Sequence, residues 1–142
     1  MDNSQYKDVY IFAEQRDGVI QNVAFELTSK ARELADQLGE KVVAILLGSG
    51  IKEKAQELIA QGADKVICVD APELKDYVTE PYKQAIAQIS KKYLPSIILF
   101  GATTIGRDLA PRLSAHITTG LTADCTSLEI SETRNLMMTR PA

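Results

Sequence analysis

The stretch IILFGATTIGRDLAPR, residues 97–112, joins an apolar run to a helical pattern through a glycine. The run Ile97–Phe100 is apolar on both alternating faces, which is typical of a strand buried on both sides of a parallel sheet. Downstream, Leu109, Leu113 and Ile117 recur at helical spacing. A buried strand followed by an amphipathic helix is the repeating unit of α/β folds, so this stretch predicts that class.

The same unit occurs three times before residue 97. The earlier apolar runs are Val9–Ala13, Val42–Leu47 and Val66–Val69. The helical stripes after them contain Leu27, Ala31, Leu34, Ala35 and Leu38; Ile51, Ala55, Leu58 and Ile59; and Tyr82, Ala85, Ile86, Ile89 and Tyr93. Gly39 and Gly62 stand where a C-terminal glycine ends a helix, and Thr79 is the predicted N-cap of the third helix.

The tail has a different pattern. The segments TADCTSLEI and RNLMMT look extended, and the turn-like SET separates them, which indicates a hairpin. We therefore predict one nucleotide-binding-like α/β domain over residues 1–142. It has three layers, a doubly wound and mostly parallel sheet, and a C-terminal hairpin.

Composition limits the functions that the chain can have. The 142 residues carry a net charge of -3 and contain two cysteines, in no CxxC pair, and one histidine. This argues against nucleic acid as the main partner and against a His-rich metal site. No secretory signal or membrane-spanning run is visible, so we expect a cytoplasmic protein that is not inserted in a membrane.

The fold predicts where a ligand would bind. With strand order 3-2-1-4-5, the first and fourth strands meet at the point where the winding reverses, and ligands bind at the carboxyl ends of such strands. The residues expected there are Glu14, Gln15 and Arg16 after the first strand, and Ala102, Thr103 and Thr104 after the fourth. The fourth helix is expected to begin near Arg107, with Pro111 in its early turns, or to be kinked at Pro111.

The glycine spacing of this loop matches a P-loop, but its chemistry does not. After Gly101 and Gly106, Arg107 replaces the phosphate-binding lysine and Asp108 replaces the magnesium-binding hydroxyl. The residues alone leave two interpretations open: a ligand-facing loop, or a plain strand-to-helix turn in which Arg107 and Asp108 form a solvated pair. We find no catalytic nucleophile or acid–base pair and no metal site, which indicates a binding domain.

Four segments in order carry a resemblance to a known family. They are YIFAEQRDGVIQNVAFEL, FGATTIGRDLAPRL, TGLTADCTSL and MTRPA. From Val9 to Ala142 the chain resembles the alpha subunit of electron transfer flavoproteins, and most closely the subgroup associated with flavin-based electron bifurcation in anaerobes. The resemblance implies a heterodimer with a beta subunit. It also implies that this chain is the N-terminal domain of the alpha subunit, and that an FAD-binding domain normally follows.

The resemblance further implies a cofactor shared with the partner. In bifurcating members the beta subunit holds an FAD beside this domain, and ordinary members hold AMP there instead. That FAD takes hydride from NADH, and electrons pass to an acyl-CoA-type or other flavin dehydrogenase, with ferredoxin as a further acceptor. We expect an electron carrier subunit with no catalytic residue of its own, which oxidises NADH only as part of the heterodimer.

Site residues carried over from the resemblance begin with Arg140 in the TRPA motif. Its guanidinium near the flavin N5 would stabilise negative charge on the reduced flavin and shift its potentials. The other expected contacts, in the same cleft, are Thr103, Thr104, Arg107, Glu14, Gln15 and Thr122. We also expect an apolar, partner-dependent face formed by Tyr6, Leu128, Met137 and Met138.

Two alternatives remain. A non-bifurcating member would use this domain as a scaffold, with AMP in the partner. A universal-stress-type nucleotide-binding module has a similar sheet, but it needs a glycine followed by serine or threonine, whereas Leu121 follows Gly120 at too long a spacing from Gly106.

Overall fold

The chain alternates strands and helices as its apolar pattern predicts. The structure, a computed structural model, describes residues 7–119, 126–130 and 136–141, with side chains over residues 7–113. In chain order the elements are β1 (Val9–Ala13), β2 (Gln15–Arg16), β3 (Val19–Ile20), α1 (Asn22–Leu38), β4 (Val42–Gly48), α2 (Ala55–Gln61), β5 (Lys65–Asp70), α3 (Thr79–Tyr93), β6 (Ile97–Gly101), α4 (Thr104–Thr119), β7 (Thr126–Ile130) and β8 (Leu136–Pro141). Short 3₁₀ turns lie at Lys52–Lys54 and Pro72–Leu74.

Six strands form the main sheet, in the order β5-β4-β1-β6-β8-β7. The first four are parallel, which confirms the mostly parallel sheet and its 3-2-1-4 order. The C-terminal strands form the predicted hairpin, but the next strand in the chain does not lie beside the fourth. β7 is at the edge, and β8 pairs antiparallel with both β7 and β6. The second strand of the hairpin, β8, therefore lies between β6 and β7.

Helices cover both faces of the sheet and make three layers. Along β1, Val9, Ile11 and Ala13 pack on the side of α1, while Tyr10 and Phe12 pack on the side of α3 and α4. This alternation follows from the two-residue period of a strand. Each fully buried large side chain stabilises the fold by about 1.5–3 kcal/mol, so the doubly apolar strands are what hold the layers together.

The first two helices match their predicted stripes, except at the ends. α1 ends at Gly39, which has a left-handed φ of 69°, as predicted for a glycine after a helix. Leu38 is 51% exposed and Ile59 is 42% exposed, although the periodicity assigned both to the core. Each lies in the last turn of its helix.

The starts of the last two helices differ from the prediction. α3 begins at Thr79 itself, with Val78 in the cap position and no side-chain cap. α4 begins at Thr104 rather than near Arg107, because the Thr103 hydroxyl accepts a hydrogen bond from the Gly106 N–H at 3.0 Å. Pro111 therefore lies inside α4, and the helix continues through it to Thr119.

Part of the expected partner-dependent apolar face falls outside the described residues. Tyr6 is not described, and neither are the side chains of Leu128, Met137 and Met138. Over the residues that are described, no helix has the length and apolarity needed to cross a membrane.

Candidate functional site

The winding of the sheet reverses between β1 and β6. From β1 the chain moves outward through β4 to β5, and α3 then carries it back to β6 on the other side of β1. The carboxyl ends of β1 and β6 are thus neighbours, with Ile11 opposite Leu99. This is the position where open α/β sheets bind ligands, and it is where the sequence predicts the site. We call the residues around it the switch-point rim: Glu14 after β1, and residues 101–107 after β6.

Glu14 and Thr103 meet across the switch-point rim. The Thr103 hydroxyl donates to Glu14 Oε2 at 2.6 Å, and the same hydroxyl accepts the Gly106 N–H. Glu14 is only 6% exposed. Burial raises its pKa, while the hydrogen bond from Thr103 and the positive charge of Arg16 act in the opposite direction. The carboxyl group thus fixes the hydroxyl that caps α4.

Gly101 is the residue that lets these groups approach. A Cβ at this position would lie 2.5 Å from Val23 Cγ2 and 3.0 Å from Glu14 Oε2. Both distances are shorter than ordinary contacts, so a side chain at residue 101 would force the rim apart. The glycine is explained by this close approach, and a phosphate-cradling role is not needed to account for it.

Thr104 and Arg107 are the exposed polar residues of the switch-point rim. Arg107 Nε donates to the Ala102 carbonyl at 3.3 Å, which draws the base of the side chain toward the β6–α4 turn. The amino end of α4 carries a partial positive charge, and Arg107 adds to it. Together they favour negative or electron-rich groups at this edge.

Gln15 does not face Thr103 and Thr104 as predicted. Its Nε2 lies 3.3 Å from the Leu47 carbonyl, 3.2 Å from the Lys75 carbonyl and 3.3 Å from the Tyr82 hydroxyl. The side chain therefore points across the end of β4, away from β6, because β2 begins directly after Glu14 and alternate residues point to opposite sides.

The segment after Glu14 forms a short hairpin. β2 and β3 pair antiparallel across Asp17 and Gly18, whose φ values are 52° and 80°. Positive φ at both central residues defines a type I′ turn, and Asp-Gly is a strong signal for it. The dipeptide was a usable signal in the sequence. The hairpin carries exposed Arg16 beside the switch-point rim.

Asp108 is not paired with Arg107. Its Oδ2 accepts the Tyr77 hydroxyl at 2.6 Å and the Thr79 hydroxyl at 2.7 Å, and its Oδ1 accepts Arg112 Nε at 2.9 Å. These three donors lower the pKa of Asp108 to about 2, with Tyr77 the largest cause. This network joins α3 to α4, so Asp108 and Arg112 of the GRDLAPR motif have a structural role.

The backbone register separates Arg140 from the switch-point rim. Because β8 runs antiparallel to β6, Leu136 lies opposite Gly101 and Thr139 lies opposite Ile98. Arg140 follows Thr139 and thus lies at the amino end of β6, four residues or about 13 Å from the carboxyl end. The expectation that Arg140 lines the same cleft as Thr103, Thr104 and Arg107 is not supported by this register. Thr122 lies outside the described residues.

The described part of the chain contains no group of three or more side chains able to hold a metal ion. The described residues at the rim supply hydrogen-bond donors, a positive field and one buried carboxyl group. This arrangement can bind and orient an electron-rich ligand.

Comparison with known proteins identifies the family of the chain. The family described as "Electron transfer flavoprotein domain" matches residues 9–142. The chain is 52% identical to "Electron transfer flavoprotein subunit alpha" of Thermoanaerobacterium thermosaccharolyticum, over 98% of the chain and 42% of that protein. It is 49% identical to "Lactate dehydrogenase (NAD(+),ferredoxin) subunit LctC" of Acetobacterium woodii, over 100% of the chain and 34% of that protein.

A further relative is named for a different dehydrogenase reaction. The chain is 44% identical to "Acryloyl-CoA reductase electron transfer subunit beta" of Anaerotignum propionicum, over 99% of the chain and 45% of that protein. The chain therefore spans less than half the length of each of these relatives.

Proposed function

The chain belongs to the electron transfer flavoprotein family, as a relative of its alpha subunits, and from this premise we propose that it forms one wall of a flavin cleft. The opposite wall is a beta subunit that holds FAD. The FAD takes electrons from NADH, and the heterodimer passes them to an acyl-CoA-type dehydrogenase or another low-potential acceptor, in the cytoplasm. We further propose that residues 1–142 correspond to the N-terminal domain of the alpha subunit.

The observation that carries this proposal is the similarity to LctC. That relative is named as a subunit of a lactate dehydrogenase that uses NAD(+) and ferredoxin, and it is 49% identical over 100% of this chain. The relative named for acryloyl-CoA reductase supports an acyl-CoA-type dehydrogenase as the acceptor. Ferredoxin is the second acceptor that we propose, on the LctC name alone.

The switch-point rim fits the edge of a flavin that is held mainly by a partner. The exposed Thr104 hydroxyl and Arg107 guanidinium are donors, which suits the acceptor atoms along that edge. Glu14 is already engaged by Thr103, so we assign it to fixing the rim and not to direct contact. When bound, a flavin supplies hydride acceptance and one-electron release, and the protein supplies position and charge.

Arg140 is the competing candidate for the flavin contact. It lies beside the amino end of β6, whereas Arg107 follows the carboxyl end, about four residues along the strand direction. Either guanidinium carries a positive charge and would stabilise negative charge on a nearby flavin. The two candidates predict different faces for the partner, so they can be separated by experiment.

The first experiment is extraction of the nucleotide from the heterodimer that this chain forms with its beta subunit. FAD from the beta-subunit site supports the proposal. AMP at that site would instead favour a scaffold role in an ordinary, non-bifurcating carrier, which is the alternative we retain. Absence of a stable heterodimer would contradict both.

The second experiment measures the flavin midpoint potential in Arg107→Met and Arg140→Met heterodimers. The variant that removes the nearby charge should lower the potential, because reduced flavin loses a stabilising cation. Lys30→Met is the control, since it removes an exposed charge from the outer face of α1, where Lys30 pairs with Glu33. Unchanged potentials in both arginine variants would contradict the proposed wall.

A further inference from the structure

The hairpin of residues 15–20 depends on contacts outside itself. Its two strands, Gln15–Arg16 and Val19–Ile20, have two residues each. A ribbon of this length is not stable in water without support. Val19 beside the turn is 59% exposed, whereas Ile20 at the base of β3 is buried in the core, so packing supports β3 at its base and contributes little near the turn. The hairpin lies directly after Glu14, beside the switch-point rim.

Gln15 supplies the hydrogen-bonded support on the β2 side of the hairpin. Its Oε1 accepts the Gly18 N–H at 2.9 Å, across the turn. Its Nε2 has two hydrogens and lies within 3.3 Å of three acceptors, on Leu47, Lys75 and Tyr82. One side chain thus joins the turn to the end of β4, to the segment before α3, and to α3 itself.

The Gln15 side-chain amide is enclosed by neighbouring residues. A Cβ at Gly48 would lie 3.0 Å from Gln15 Nε2, 3.0 Å from Ile51 Cγ2 and 3.1 Å from Ile51 Cδ1, so a side chain at residue 48 would crowd both the amide and Ile51. The Tyr82 hydroxyl, which accepts from Gln15, donates to the Leu74 carbonyl at 2.6 Å in the protein interior. Gln15 is therefore connected to buried and well-supported groups.

The residue that this anchor holds in place is Arg16. It follows Gln15 directly, is exposed, and forms no ion pair within the described part of the chain. Its positive charge acts on buried Glu14 at the switch-point rim. Arg16 lies in β2, two residues after Glu14 in the chain, so its charge lies beside the switch-point rim.

We propose that Gln15 is a positioning residue, which fixes the hairpin of residues 15–20 and through it holds Arg16 beside the switch-point rim. Gln15 makes no ligand contact itself. The consequence for a flavin rests on the proposed function, whereas the anchoring of the hairpin does not.

The anchoring is tested in the heterodimer with Gln15→Met and Gln15→Glu. Methionine keeps the length of the side chain and removes every hydrogen bond. Glutamate keeps the acceptor for the Gly18 N–H but places a carboxylate against the Leu47 and Lys75 carbonyls. Gln61→Met is the control, because Gln61 is exposed on α2 and its side chain donates a hydrogen bond to the Ser29 hydroxyl, far from the hairpin in the chain.

The readouts are trypsin cleavage after Arg16 and amide hydrogen exchange over residues 16–20. Both report local opening, and the loss of several hydrogen bonds should speed each by about tenfold or more in both Gln15 variants. Gln61→Met should leave both rates unchanged. Gly48→Ala, which crowds both the amide and buried Ile51 without altering Gln15, should give a smaller increase. Gln15→Glu carries the test if Gln15→Met does not assemble. Unchanged cleavage and exchange would overturn the anchoring.

The positioning of Arg16 is tested by a double-mutant cycle on the flavin midpoint potential. Arg16→Met and Gln15→Met should each lower the potential, and the double variant should lower it no further than Arg16→Met alone, because both changes remove the same charge from the same place. Additive shifts of the midpoint potential would overturn the positioning role. So would a shift in Arg16→Met with no shift in Gln15→Met, if cleavage and exchange show that the Gln15→Met hairpin has loosened. If extraction yields AMP in place of FAD, the proposed function fails, and the cleavage and exchange rates still decide the anchoring.

Discussion

Gly101→Ala is the substitution that tests the packing of the switch-point rim most directly. The added Cβ would lie 2.5 Å from Val23 Cγ2 and 3.0 Å from Glu14 Oε2, against about 3.5–4.0 Å for ordinary carbon contacts. Overpacking of this kind costs about 1–3 kcal/mol. The upper part of that range applies, because Glu14 cannot retreat without stretching its 2.6 Å hydrogen bond from Thr103. At about 3–4 °C per kcal/mol for a domain of this size, a cost of about 2–3 kcal/mol should lower the melting temperature by roughly 6–12 °C.

The assay is thermal unfolding of the single variant, of Val23→Ala, and of the double variant. Removing Val23 Cγ2 deletes the closest contact, so the double variant should be more stable than the sum of the two single changes predicts. Gly39→Ala is the control: nothing lies within 4 Å of a Cβ there, and its cost comes from a φ of 69°. Val23→Ala should not rescue that control. A Gly101→Ala melting temperature equal to that of the unsubstituted chain, or no rescue by Val23→Ala, would refute the packing argument.

Three further predictions concern the same region. The pKa of Asp108 is lowered from 3.8 to about 2, so its contribution to stability is present above pH 3.8 and is lost as pH falls toward 2. Asp108→Asn should therefore reduce the dependence of the unfolding free energy on pH between 3.8 and 2. An unchanged pH dependence in this range would contradict the network. The pKa of Glu14 is raised above 4.5, so stability should decrease as pH rises from 4.5 through the folded-state pKa. Glu14→Gln should remove this slope in denaturant titrations at several pH values, and a persistent slope would assign it to another group. Thr103→Val should cost about 1–2 kcal/mol in urea unfolding through loss of the α4 cap, while Thr103→Ser should stay near the original stability; equal losses in both variants would argue against the cap.

The sequence predicted which strand ends meet at the switch point better than it predicted the contacts of individual side chains there. Strand ends and the reversal of winding follow from the order of elements, and these are visible as apolar runs and helical stripes. Glu14 and Thr103 were correctly expected to face each other across the switch point. Gln15 was assigned to the same face, but it points the other way, because the chain turns into a hairpin immediately after Glu14.

Hydrogen-bond partners distant in the chain could not be predicted. Asp108 is bonded to Tyr77 and Thr79, which lie 31 and 29 residues away. The sequence suggested Arg107 as its partner because the two are adjacent. Adjacent residues on a helix point in different directions, whereas residues four apart share a face, which is why Arg112 pairs with Asp108.

The sequence by itself determined the alternation of strands and helices, the burial of the parallel strands on both faces, and the family. These properties depend on the local period of apolar residues and on segments that can be compared one by one. Only the tertiary structure decided that β8 lies antiparallel beside β6, which places Arg140 at the amino end of β6 and away from Arg107. It also decided that Gln15 joins three elements and that Gly101 makes room for Glu14. The direction of a strand and the partner of a polar group depend on how distant segments pack, and the local sequence does not encode that packing.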